Sequence, residues 1–239
     1  MGLGVRETDA TASETGDYPQ REERLSMTNE KVITFQGEAF ALMGEVPELG
    51  ASAPDFRLWY FNKGEEGGPI GKDDLLERGK PLLLSVITSV DTPVGKIQAR
   101  KFEKLLRPIH EDVTAVLVSS DLPFTLNRFR ETERLKHLMG LSDYYDQSFG
   151  RAFGVVIEEP LILARAVFVI DGAGVVQYEQ VVPEITDEPD YASAMAALKA
   201  LLPVKPTRRK PRTAKKRPAM ARKRPAARAK KSAARRRRR

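Results

Sequence analysis

The sequence predicts an α/β layer fold for residues 31–202, between two terminal segments that lack the pattern of a packed core. Strand-like and helix-like stretches alternate along these residues, as they do where helices cover a sheet. Three strand-like runs, Leu82–Ile87, Val113–Val118 and Ala166–Ile170, are almost wholly apolar. Continuous apolar runs are typical of strands that are buried on both faces. We therefore expect a central sheet with helices packed against it.

The first elements are predicted to be short strands. Val32–Phe35 and Phe40–Met43 are β-like runs on either side of Gly37, which indicates an N-terminal β-hairpin. Phe56–Phe61 is rich in aromatic and apolar residues and is predicted to be the next strand. The glycines and proline of Gly64–Pro69 favour a turn after it.

Helical spacing predicts a helix over Val94–Leu106. The residues available for its buried face are Ile97, Phe102, Leu105 and Leu106. Asp190 is expected to cap the last helix, which is rich in alanine and leucine. The remaining predicted elements, in chain order, are helix Phe124–Leu135, short helix Phe149–Val155, a hairpin turn at Asp171–Gly174, strand Val175–Val182 and helix Tyr191–Leu202.

Five stretches share residues with one protein family, in the family's order: Lys31–Gly37, Asp91–Thr92 with Arg100–Phe102, Ser120–Phe124, Leu163–Asp171 and Glu184–Tyr191. Together they make residues 31–202 resemble the thiol peroxidases, a subfamily of the peroxiredoxins. The resemblance implies a thioredoxin-like fold with the N-terminal hairpin. It also implies a homodimer, and an activity that reduces hydroperoxides at the expense of thioredoxin.

The resemblance also implies where the catalytic residues should be. The family's loop, proline-x-x-x-threonine-x-x-cysteine, opens a helix, and an arginine joins it from a distant strand. Here Thr92 matches the threonine and Arg165 the arginine, but Thr88 replaces the proline. Gly95 stands at the position of the peroxidatic cysteine and Arg130 at that of the resolving cysteine.

The chain contains no cysteine, so the thiolate that performs the family's chemistry is absent. Glycine has no nucleophile and cannot form a sulfenic acid. The sequence shows no base at a suitable spacing to activate Ser89 or Thr92. We therefore expect no intact catalytic residue, no cofactor and no redox activity. The alternative is that the family's activity as a thioredoxin-dependent thiol peroxidase survives.

A remnant of the site is expected around Thr92, Gly95 and Arg165. The free N–H groups of Val94–Lys96 at a helix start and the Arg165 guanidinium are suited to a small anion. Because such sites at helix starts form readily without being used, we favour the interpretation that Arg165 pairs with a carboxylate such as Asp91, or faces water.

Other candidate sites are weaker. The Gly67–Asp73 stretch is one residue short of a phosphate-binding loop and has Asp73 in place of its hydroxyl residue, so it is predicted to be a turn. His110 and His137 lack metal-ligand spacing and are predicted to be surface residues, with no metal site. Asp143 and Asp146 are predicted to lie in a solvated acidic turn.

Charge divides the chain into two opposite parts. Residues 203–239 contain 19 Lys and Arg and no acidic residue, whereas residues 1–202 contain 21 Lys and Arg against 33 Asp and Glu. Such a tail cannot bury a core, so we expect it to be disordered. Its composition resembles histone-like tails and predicts binding to DNA or RNA phosphates with little sequence readout. The candidate phosphate-binding residues are Arg208, Arg209, Lys210, Lys215, Lys216, Arg217, Arg222, Lys223, Arg224, Arg235, Arg236 and Arg237.

Two alternatives remain for the tail. It is either solvated without a dedicated partner, or part of a dimeric scaffold that meets polyphosphate or acidic lipid. Residues 1–30 are polar and predicted to be disordered, and Met27 is a plausible alternative start. No signal peptide or membrane-spanning run is recognisable, so we expect a cytoplasmic protein, associated with the nucleoid and not inserted in a membrane.

Overall fold

A computed structural model describes residues 32–61 and 67–203. The segments predicted to be disordered, residues 1–30 and 203–239, lie outside the described residues except for Pro203. The strands are β1 Val32–Phe35, β2 Glu38–Met43, β3 Arg57–Tyr60, β4 Gly68–Gly71, β5 Leu82–Val86, β6 Thr114–Ser119, β7 Met139–Ser142, β8 Val156–Ile157, β9 Ala166–Ile170 and β10 Val176–Val181. The helices are α1 Lys72–Leu76, α2 Pro93–Leu106, α3 Pro123–Glu133, α4 Ser148–Ala152 and α5 Tyr191–Ala200.

The main sheet has seven strands in the order β10-β9-β5-β6-β7-β3-β4. Strands β5, β6 and β7 are parallel to one another, and the other pairs are antiparallel. The three apolar runs predicted to be central strands are β5, β6 and β9, and β5 pairs with both of the others. The predicted α/β fold is therefore confirmed, with the loops after β5 and β6 together at one end of the sheet.

Apolar side chains pack against both faces of this sheet, so that a core lies on each side of it. Because side chains alternate between faces along a strand, Leu82 and Leu84 enter one core with Phe149 and Phe153, whereas Leu83 enters the other. The second core joins the sheet to α2 and α5 through residues such as Phe102 and Leu198. These contacts fix the position of α2, whose first turn carries the candidate site.

The N-terminal hairpin is also confirmed. Strands β1 and β2 pair in antiparallel register around Gln36 and Gly37, and β8 adds a third strand to this small sheet. Both turn residues have positive φ, +53° for Gln36 and +86° for Gly37. That conformation matches the twist of a tight two-residue hairpin.

Several local predictions were wrong. The stretch Gly67–Asp73 contains strand β4 and the start of α1 instead of a turn, and β7 and β8 were not predicted. Strand β4 lies at the edge of the sheet, and its open side has no partner strand. Because proline lacks a backbone N–H, Pro69 is tolerated there without the loss of a hydrogen bond on that side. On α2, Ile97 is 39% exposed and Leu105 36% exposed. The buried positions of that helix are Gly95, Gln98, Ala99, Phe102 and Leu106.

Asp143 does not lie in a solvated turn. Its side chain is buried and accepts hydrogen bonds from the backbone N–H of Phe149 (3.1 Å) and of Gly150 (2.8 Å) in the first turn of α4. Burial raises the pKa of Asp143 to about 7, although the two N–H groups oppose the shift. Asp146, in contrast, pairs with Arg57 at 3.1 Å.

This carboxyl group makes stability depend on pH. Its pKa in the folded state lies above the value of about 3.9 expected in the unfolded chain. The folded state therefore holds the proton more tightly, and its stability falls as pH rises from about 4 to about 7, by at most ~1.4 kcal/mol per pH unit. Asp143→Asn should flatten this fall, as measured by urea unfolding at several pH values.

Asp171→Asn provides the control, because burial raises the pKa of Asp171 but hydrogen bonds outweigh it and lower the pKa, the opposite direction to the shift of Asp143. That variant should keep the fall in stability shown by the unmodified chain. A steep fall that persists in Asp143→Asn would show that another group causes it.

Candidate functional site

The start of α2 is closed by a tight turn. Thr92 is the N-cap residue, and its Oγ1 accepts a hydrogen bond from the backbone N–H of Gly95 at 3.1 Å. The same hydroxyl donates to the carbonyl oxygen of Ser89 at 2.8 Å. The Thr92 hydroxyl thus uses its proton and an acceptor position within the turn itself.

The turn fills the place where a side chain at position 95 would begin. A Cβ atom built on Gly95 would lie 2.3 Å from the Ser89 carbonyl oxygen and 2.7 Å from Thr92 Oγ1. Both distances are shorter than ordinary van der Waals contact, and the first involves the backbone. Position 95 therefore lacks a thiol, and the closed turn also leaves no room there for a residue with a side chain.

Asp121 holds this turn from the neighbouring loop. Its carboxylate accepts hydrogen bonds from Ser89 Oγ (2.9 Å), from the Val90 backbone N–H (2.8 Å) and from Ser119 Oγ (2.8 Å). The loop after β6 is thereby tied to the loop after β5. The sequence showed no acceptor at a spacing suited to Ser89, and only the parallel pairing of β5 and β6 brings Asp121 there.

Arg165 is buried just before β9, 1% exposed. Its Nη1 donates to Gln98 Oε1 at 2.7 Å, and its Nε donates to the Ile185 carbonyl oxygen at 3.0 Å. It therefore neither faces water nor forms an ion pair with Asp91. Burial lowers the pKa of the Arg165 guanidinium, and the neighbouring Tyr191 and Glu188 partly offset this.

Gln98 connects this arginine to the sheet. Its Nε2 donates to Ser85 Oγ at 3.0 Å and to the Val86 carbonyl oxygen at 3.1 Å, while its Oε1 accepts from Arg165. Sequence reasoning missed Gln98. The available signal was a polar residue within the stripe of α2 that includes Ala99 and Phe102.

The other residues predicted from the family loop lie differently. Thr88, in the proline position, is buried, and its Oγ1 has no hydrogen-bond partner among the described residues. Arg130 is not part of the α2 start, because its Nε donates to the Leu138 carbonyl oxygen at 3.0 Å, just before β7. The structure thus brings Thr92 and Gly95 together, buries Arg165 against α2, and leaves Arg130 apart. The basic residues predicted to bind nucleic acid lie outside the described residues.

His110 is exposed and His137 is partly exposed, and the two side chains are neighbours. Their rings stack with centroids 4.3 Å apart, and His137 Nε2 lies 3.8 Å from Glu103 Oε1. Across residues 32–61 and 67–203, no group of three or more His, Cys, Asp or Glu side chains is placed to hold a metal ion. No helix in the same residues combines the length and apolar character needed to cross a membrane.

The chain matches the Redoxin family model over residues 48–195. It is 41% identical over 170 residues to a thiol peroxidase from Halalkalibacterium halodurans, covering 71% of this chain and 98% of that protein. It is 42% identical over 171 residues to a thiol peroxidase from Mycobacterium bovis, covering 70% of this chain and 98% of that protein.

Solved structures show the same relationship. A peroxiredoxin-like protein from Aquifex aeolicus is 32% identical, with a TM-score of 0.63, and the match covers 72% of this chain and 97% of that one. A thiol peroxidase from Chromobacterium violaceum matches with a TM-score of 0.60 at 23% identity, over 71% of this chain and 95% of that one. The expected thioredoxin-like fold of the peroxiredoxins is therefore confirmed.

The closed turn makes a prediction about Gly95. Replacing a helical glycine by alanine ordinarily stabilises a helix, by up to about 1 kcal/mol. At position 95 the added Cβ must displace the Ser89 carbonyl, so Gly95→Ala should instead destabilise the protein by about 1–3 kcal/mol, the usual cost of overpacking. Denaturant unfolding measures the difference.

Gly68→Ala is the matched control, because a Cβ there meets no atom of the described residues within 4 Å and no positive φ is involved. Its stability should stay close to that of the unmodified chain. If Gly95→Ala is as stable as this control, the turn is open enough to admit a side chain.

Proposed function

The chain belongs to the redoxin family, among the thiol peroxidases, and from that premise we propose that it is a redox-inactive member that binds nucleic acid through residues 203–239. The closed, cysteine-free start of α2 is the observation that supports redox inactivity. The separation of charge between the acidic domain and the basic tail is the observation that supports nucleic-acid binding.

Redox inactivity follows from the lack of a nucleophile. No thiol exists to attack a peroxide, and the hydroxyl groups of Ser89 and Thr92 both donate hydrogen bonds. Ser89 donates to Asp121, but the carboxylate also accepts from Val90 and Ser119, so it acts as an anchor for the turn. Arg165 stands at the position of the family's catalytic arginine, and here its Nη1 donates to Gln98 and its Nε to the Ile185 carbonyl oxygen.

Nucleic-acid binding is supported by the amount and arrangement of positive charge. The tail holds 19 basic residues without an acidic one, whereas residues 1–202 carry a net charge of −12. Release of counterions from phosphates favours such a segment on any nucleic acid. No aromatic residue follows Tyr191, so bases have no stacking surface in the tail, and binding without sequence preference is the expected mode.

The full-length protein should bind duplex DNA of unrelated sequences with similar affinity. A chain ending at Leu202 should not bind, because its remaining charge is negative and repels phosphates. If about half of the tail charges contact phosphates, the affinity should fall with salt with a log–log slope on the order of −8. Fluorescence anisotropy over a range of salt concentrations measures both effects.

Two results would contradict the proposed binding of nucleic acid by the tail. Equal binding by the full-length and truncated chains would place the binding surface on the folded domain, against this proposal. Binding to one sequence that is insensitive to salt would also contradict it, because such binding requires contacts to base edges.

A further inference from the structure

A second candidate site lies at the opposite end of the sheet from Thr92. A cavity of about 430 Å³ opens between α1, α3 and the amino ends of β6 and β7. Four cationic side chains line it, from Arg78, Lys80, Arg130 and Lys136. Since the loops after β5 and β6 leave from the carboxyl ends of parallel strands, this cavity is separate from the remnant site.

The charge around the cavity is opposite to that of the domain. The four cations face two carboxylates, Asp74 and Glu77, so the lining has two positive charges in excess. Asp74 already accepts a hydrogen bond from the Gly71 backbone N–H at 2.8 Å. Residues 1–202 as a whole carry a net charge of −12, so a cluster of cations here is not a consequence of overall composition. An anion bound in the cavity would reduce the repulsion between these cationic side chains and favour their charged forms.

The Arg130 side chain is held in place by its surroundings. Its Nε donates to the Leu138 carbonyl oxygen, which leaves the two terminal nitrogens for another partner. Gly140 makes room for it, since a Cβ at that position would lie 3.0 Å from Arg130 Cδ. A guanidinium fixed in this way suits the paired oxygens of a phosphate.

Besides these charged residues and the polar Thr114 and His137, six apolar residues line the cavity: Ile70, Leu75, Val113, Ala115, Leu138 and Met139. The cavity volume lies in the range of small-molecule sites, and it is much larger than an inorganic phosphate needs. We infer that this cavity binds a small organic phosphate, with its phosphate group on the arginines and lysines and its body against the apolar residues. This inference does not depend on the proposed binding of nucleic acid.

The test measures the binding of phenyl phosphate to the full-length protein by isothermal titration calorimetry at a fixed salt concentration. The unmodified protein should bind one equivalent saturably. Arg130→Gln should weaken the affinity by about tenfold or more, the usual effect of losing a charged hydrogen bond. Arg128→Gln is the matched control, because Arg128 lies on the same helix and lines a different cavity. It removes the same charge, leaves the tail unchanged, and should keep the affinity within about twofold.

A second variant covers the case in which Arg130→Gln fails to fold. Arg78 is exposed, so Arg78→Gln should fold and still weaken binding of phenyl phosphate. Phenol, which lacks the phosphate, should not bind. No saturable binding by the unmodified protein, or equal affinity in the Arg128→Gln, Arg78→Gln and Arg130→Gln proteins, would overturn the inference.

Discussion

The closed turn from Ser89 to Gly95 constrains the rest of the site, because the Ser89 carbonyl oxygen occupies the space of a side chain at position 95. Thr92 closes the turn by bonding to both residues, and Asp121 holds it from the next loop. With the turn in this position, the first turn of α2 has no space for a side chain at position 95. The proposed redox inactivity is therefore supported by the backbone geometry as well as by the residue type.

The residues at the other positions matched to the family's site contact different parts of the structure. Arg165 is buried and bridges α2 to the segment before α5 through Gln98 and the Ile185 carbonyl. Removing the Gln98 side chain would leave a buried N–H of this guanidinium without its acceptor and would cost stability. Arg130, in the place of the second redox residue, lines a cavity at the other end of the sheet. The residues at the matched positions thus make separate structural contacts, while the highest density of positive charge lies in residues 203–239.

The sequence allowed much of the fold to be predicted, because long apolar runs identify β5, β6 and β9. The matched motif predicted Thr92, Gly95 and Arg165 as residues of the candidate site. Strands β4 and β7 were missed, since their short glycine-containing stretches show no alternation and pair only because neighbouring strands are present. The burial of Asp143 and Gln98 and the stacking of His110 on His137 depend on contacts between distant segments. Residue spacing carries no information about such contacts.

The most direct measurement of the central claim is peroxide consumption in the presence of thioredoxin and its reductase, with the unmodified protein and Gly95→Cys compared. The unmodified protein should match a control without protein, because it has no thiol. Gly95→Cys should react no faster than free cysteine, because its Cβ displaces the turn that would have to orient the thiolate. Saturable turnover by the unmodified protein, or rapid reaction of the new thiol, would contradict the account.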